Sequence, residues 1–171
     1  MNGEALDPRW VRTWAADITA HLQSVLSTFD TYYPFPPGEN EVVLAGPDQS
    51  SLDAIRSNSE TPLDLFAFYQ VIKEVTMSDI GNGFFIHAPD AVVTQLADGP
   101  VLLGDGNTGT VFASNGGGLL YAIGPDNTVH RSNDASTDSR FEPVATDLRD
   151  FLGQVLNAVT HFAATRTPGD L

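Results

Sequence analysis

Apolar side chains recur at three- and four-residue spacing from Trp10 through Trp14, Ile18, Leu22 and Val25 to Phe29, with Val11 and Leu26 widening the stripe. That period belongs to one buried face of a helix. Asp7 precedes it as a capping carboxylate, and Pro8 stands at the first helical position, where its missing N–H costs nothing. The helix has to stop before "YYPFPPG", where three prolines and Gly38 interrupt it. Those aromatics read as a corner packing its rings onto the core rather than as a ligand box. "EVVLAG", Glu41–Gly46, predicts a short strand ended by Gly46-Pro47. Leu52 and Ile55 predict a short helix broken around "SNSE". Thr61, Pro62 and Asp64 then open a second helix, with Leu65, Phe66, Phe68, Tyr69 and Ile72 as its apolar positions.

Beyond Met77 the period shortens. Gly81-Asn82-Gly83 marks a turn into a strand over Phe84–His87. Further apolar runs follow at Val101–Leu103, Thr110–Ala113, Leu119–Ile123 and Thr128–His130. "GDGNTG", "SNGGG" and "GPDN" separate them as turn-formers, so this region predicts a meander of short antiparallel strands. A last helix carries Leu148, Phe151, Leu152, Val155, Val159 and Phe162, with Thr146 as its cap and a flexible tail over 163–171. The expected fold is a single α+β domain spanning 1–171, an antiparallel meander sheet with helices packed beside it.

Composition narrows the class. At 171 residues and 42% hydrophobic side chains the chain can bury a core of its own. It has no cysteine, which removes disulfides, thiolate nucleophiles and cysteine-based metal sites. Eight basic residues, Lys73 the only lysine, face 22 acidic ones for a net charge of −14. Such a surface has no footprint for phosphates and disfavours nucleic acid and anionic membranes, whereas it speeds encounter with a basic protein. No run spans a bilayer and "MNGEALDPRW" has no apolar signal region, so the expected compartment is the cytoplasm.

Candidate chemistries fail one by one. Gly104, Gly106 and Gly109 spell the dinucleotide spacing G-x-G-x-x-G, but "TVFAS" follows as a strand where a helix N-terminus would be needed. Asp105 and Asn107 open a calcium-loop pattern that no later glutamate completes. His21, His87, His130 and His161 show no metal-ligand spacing. Ser114 in "FASNGGG" lacks both the flanking glycines and the strand-to-helix turn of a nucleophile elbow. No catalytic, metal or cofactor residue is therefore expected.

"TPLDLFAFYQVI", then "VFASNGGGLLYAIGPDNTVHRS", then "FEPVATDLRDFLGQVL" form a succession that resembles the SUKH superfamily, which includes yeast cell-wall-assembly regulators and bacterial immunity proteins of toxin systems. The first segment matches the family's "LP" helix with Thr61 where leucine is usual. The second matches its glycine-rich hairpin through Val111, Phe112 and Gly116-Gly117-Gly118, and the third its closing helix through Ala145, Leu148, Phe151 and Leu152. The likeness covers roughly 48–160, within a family-like core over 48–162; residues 1–47 stand outside it. It implies binding rather than catalysis: an antidote that occupies a toxin with a basic surface, among them nucleases and nucleic-acid deaminases. The contacts expected on that reading are the loop acids Asp105, Asp126, Asp134, Asp138 and Glu142, with Gly116, Gly117 and Gly118 shaping a turn. A regulatory scaffold of the same fold, and an enzyme or small-ligand carrier using a pocket beneath "YYPFPPG", are the alternatives.

Overall fold

The computed structural model describes residues 5–169 and 171. Its elements run α1 (Pro8–Ser27), α2 (Phe29–Tyr32), β1 (Asn40–Leu44), α3 (Ser50–Ser57), α4 (Leu63–Tyr69), β2 (Ile72–Met77), β3 (Phe84–Ile86), α5 (Pro89–Asp98), β4 (Val101–Leu102), β5 (Thr108–Asn115), β6 (Leu120–Ile123), β7 (Val129–Ser132), β8 (Phe141–Ala145) and α6 (Leu148–Thr165). The strands form one sheet in the order β1-β2-β3-β5-β6-β7-β8, every pair antiparallel, with β4 also on β5. This is a single-domain α+β fold, as the sequence predicts.

The two long helices follow their stripes. Asp7 accepts from the Arg9 amide ahead of Pro8, and Val11, Trp14, Ala15, Ile18, Leu22 and Val25 are buried. Trp14 also solves its polar end, donating from Nε1 to the Leu152 carbonyl of α6 at 2.8 Å. At the head of α6 the cap is Asp147, not Thr146. Asp147 accepts from the Asp150 amide at 2.7 Å, and Asp150 reaches back to the Thr146 amide at 2.9 Å. The reciprocal pair satisfies donors on both sides of the first turn, which one threonine does not.

Other expectations shift. The α4 cap is Pro62 in extended backbone, not Thr61, and the helix ends at Tyr69. Ile72 keeps helical spacing from Leu65 and Phe68 yet starts β2, where Ile72, Val75 and Met77 bury one side. β8 and α5 match no predicted element. β8 holds Pro143, tolerable because this strand is the last of its ladder. α5 buries only Val92 completely and has no capping side chain at Ala88, so its pattern is faint. Of the aromatic corner, Tyr33 stacks on Phe29 and packs against the core. Tyr32 and Phe35 stay largely in solvent. After α6 the chain turns back, so that Gly169 closely approaches Ala158 and Leu171 packs on the core.

The sheet has two apolar faces in use. Val75, Ile86, Phe112, Tyr121, Ile123 and Val129 face the helices in the main core. At the other end the sheet curls: Leu103, just past β4, bridges Phe141 of β8, and Gly104 donates to the Phe141 carbonyl at 2.9 Å. That closes a small ring of strands around a second cluster of Val101, Leu103, Val111, Ala122 and Phe141. The glycines of "GDGNTG" serve this closure. A Cβ on Gly104 would stand 2.7 Å from the Phe141 oxygen, and one on Gly109 would stand 2.8 Å from the Leu103 side chain.

Gly116 carries the tightest contact of the fold. A Cβ there would lie 1.7 Å from the Asn82 carbonyl oxygen, while its own N–H donates to the Gly83 carbonyl at 3.1 Å. The β5–β6 turn is thus laid directly on the β2–β3 turn. Gly116→Ala is expected to cost about 2–4 kcal/mol, because the backbone itself must move. Gly153→Ala, in the middle of α6 with open space around it, is expected to add about 0.5–1 kcal/mol. Urea denaturation of the two variants checks both signs.

Candidate functional site

The structure separates the five loop acids into groups. β5 and β6 run antiparallel, so the turn before β5 and the turn after β6 share one end of the sheet. Asp105 and Asp126 sit there, each accepting the amide two residues on: Asn107 at 2.9 Å and Thr128 at 3.0 Å. The Asn107 amide holds the Asp105 carboxyl below its ordinary range. Two further acids join this end from a distant segment. Glu60 accepts from the Thr108 hydroxyl, and Asp64 accepts from the Asn127 side chain and from the Leu6 amide at 2.9 Å. Glu60, Asp64, Asp105 and Asp126 therefore form one acidic end, assembled from three segments. Sequence reading missed Glu60 and Asp64, since only the fold brings them beside the hairpin turns.

Asp134 and Asp138 lie at the opposite end. Their loop packs on the glycine turn, where Ala135 crowds Gly118 at a positive φ of 84°. Ser139 and Ser136 hydroxyls accept their amides at 3.1 Å. Glu142 belongs to neither end: it lies on β8, 3.2 Å from Arg140 Nε. Among the described residues only Asp7 and Glu142 have a basic side chain within 4.0 Å, so the carboxylates at both ends make no ion pair.

Gly116, Gly117 and Gly118 lie between β5 and β6, and Asn115 organises this turn. Its Oδ1 accepts from the Gly117 and Leu119 amides at 3.0 Å, and its carbonyl accepts from Gly118 at 3.0 Å. With Gly116 bonded to Gly83, the amides of this turn are all spent within the fold.

Beside the turn, Ser114 Oγ lies 2.9 Å from His87 Nε2, and the His87 carbonyl accepts from the Tyr69 hydroxyl. Neighbouring hydroxyl and imidazole are the start of a nucleophile–base pair. Here the adjoining amides, which would have to stabilise an oxyanion, are already bonded, so the pair ties β3 to β5. The other histidines are scattered. His21 and His161 meet Thr160 and Thr167 on the surface. His130 is 2% exposed, its partner across the ladder is Ala122 of the ring cluster, and neither ring nitrogen has a hydrogen-bond partner. No three His, Asp or Glu side chains among the described residues come close enough to share a metal ion.

Two hollows lie on the surface, the first of them reaching Tyr69 of the His87 group. One, of about 500 Å³, lies between the starts of α3 and α5 and is lined by Asp48, Gln49, Tyr69, Lys73 and Asp90. The other, of about 480 Å³, is an open groove along Phe29, Tyr33 and Pro34–Pro37. No described helix is long and apolar enough to cross a membrane. Comparison with protein-family models gives no match, and comparison with curated proteins gives none.

Burial holds the His87 imidazole below its ordinary value near 6.5. The unfolded chain then takes up the proton first as pH falls, so this site's contribution is complete above the ordinary value and is lost progressively beneath it. Unfolding free energy measured from about pH 7.5 to about pH 5.5 should decline in the parent chain, and His87→Gln should flatten that decline. An identical slope in both would mean that His87 is not the group responsible.

Proposed function

We propose that the chain is an immunity-type protein-binding domain of SUKH-like kind, which neutralises a toxin with a basic surface by direct binding. The observation that carries this reading is the acidic end. Glu60, Asp64, Asp105 and Asp126 are brought together from three segments, each bonded to the polypeptide, with no basic side chain among the described residues within 4.0 Å. Carboxylates fixed by backbone amides are pre-oriented, so a cationic partner need not order them on arrival. Their field accelerates encounter with a basic channel of the type that holds nucleic-acid phosphates. The resemblance to SUKH immunity proteins, with a glycine turn at Gly116–Gly118 and a closing helix at α6, supports the same reading.

The hollow of about 500 Å³ at Lys73 favours a second reading, a small-ligand carrier. A metabolite retained at stoichiometric yield through purification, seen by native mass spectrometry, would favour that reading over the first.

The primary test is a pull-down from the native host at low and high salt, followed by co-expression of whatever is recovered. One dominant basic protein, stoichiometric and toxic unless this chain is present, is the expected result; a set of weak host partners would point to a regulatory scaffold. With that protein in hand, Asp105→Asn with Asp126→Asn is informative, because asparagine keeps the side-chain bond to the next amides while removing both charges. The association rate should fall by about tenfold and its salt dependence flatten. Asp134→Asn with Asp138→Asn, at the opposite end, should leave more of the salt dependence intact.

A further inference from the structure

On the face of the sheet turned away from the main core, Glu41 is exposed and Val43, Glu74, Thr76, Phe85, Ser114 and Leu120 are half-buried. Cross-strand pairing places Glu41, Thr76, Phe85, Ser114 and Leu120 in one row, strand to strand, and Val43 opposite Glu74 beside it. The alternate row, Val42, Val75, Ile86, Ala113 and Tyr121, is the one that packs on the helices. Phe85 and Val43 belong to neither apolar cluster, and Leu120 touches only the rim of the ring cluster. Phe85 lies against Gly83, over the junction of the two turns that Gly116 locks together, so its backbone is held rigidly. The row's charges are all of one sign: Glu41 is exposed, Glu74 is half-buried, and neither has a basic partner within 4.0 Å among the described residues.

We propose that this strip is a docking surface for an extended basic segment of a partner protein. Its apolar side chains would rest on Phe85, Val43 and Leu120, and its cations would meet Glu41 and Glu74. Charge complementarity selects this occupant: the strip offers carboxylates without counter-ions around a half-exposed aromatic ring, and a second copy of a chain carrying −14 is repelled. The His87–Ser114 pair at its centre supplies a hydrogen-bonding group within the apolar stretch. The inference rests on the reading of the chain as a protein-binding domain, but it assigns contact to a different surface from the acidic end.

The test uses the whole protein, labelled for amide NMR, and a short synthetic peptide alternating arginine and leucine, with an alternating glutamate–leucine peptide as control. Amide shifts confined to β1–β3 and to the Ser114–Leu120 stretch are expected for the basic peptide only. Glu41→Gln with Glu74→Gln should weaken its binding by about tenfold, and Asp105→Asn with Asp126→Asn should not. The proposal is overturned if the peptide shifts only the 60–64, 104–108 and 124–128 segments, if it shifts nothing, or if the same amides move on concentrating the protein alone. The last result would give the strip to a second copy. None of these outcomes alters the pull-down, which decides the antidote reading by itself.

Discussion

One strand serves two cores. β5 is paired on both edges: β6 runs along one, while β3 and β4 share the other at opposite ends of the strand. Between Val111 and Ala113 its pairing with β6 slips by one residue. That bulge is what lets Val111 face the ring cluster while Phe112 and Ala113 both belong to the helix-side core. Without the slip, alternation would force Phe112 and Ala113 to opposite faces, and either the ring or the helix core would lose a side chain. α5 follows from the same arrangement, since it is the link that carries the chain from β3 to β4 along a single edge of β5.

The parts of this design that repeat with a short period were legible in the sequence. α1 and α6 each bury one residue per turn over most of their length, and the turn-formers around 104–109, 116–118 and 124–127 punctuate the strands clearly. What escaped was set by tertiary contact. Ile72 fits the helical period of Leu65 and Phe68 but is out of step with Val75 and Met77, and it joins their side of β2 only through the irregularity opposite Val43 and Leu44. The role of Gly104 and Gly109 depends on Phe141 and Leu103, and that of Gly116 on Asn82, none of which a pattern search relates. The candidate site behaves likewise: Asp105 and Asp126 stand out as turn acids, whereas Glu60 and Asp64 join them only through Thr108 and Asn127.

The ring exacts a cost that its neighbours must offset. His130 is buried with both nitrogens unbonded, and a buried polar group without a partner costs about 1–3 kcal/mol. The closure above it is held by a single bridge at Leu103 and by the Gly104–Phe141 hydrogen bond. Leu102, the next side chain along, points away and is 66% exposed. This end of the sheet is therefore the less firmly held of the two. The turn at Gly116, where two hairpins interlock backbone to backbone, is the more rigid.

That asymmetry bears on how a charged domain can hold a partner. Long-range attraction raises the rate of encounter but is screened beyond roughly 8 Å at physiological salt, so it contributes little to how long a complex lasts. Lifetime depends on desolvated apolar contact on a surface that does not rearrange. The acidic end, built on turns near the weaker closure, suits the first task, because a carboxylate's field tolerates small displacements of its loop. The strip around Phe85, built on paired strands beside the interlocked turns, suits the second. On the proposed reading, this division would give salt-dependent capture at one end of the sheet and persistence at the strip, with β5 as the common support.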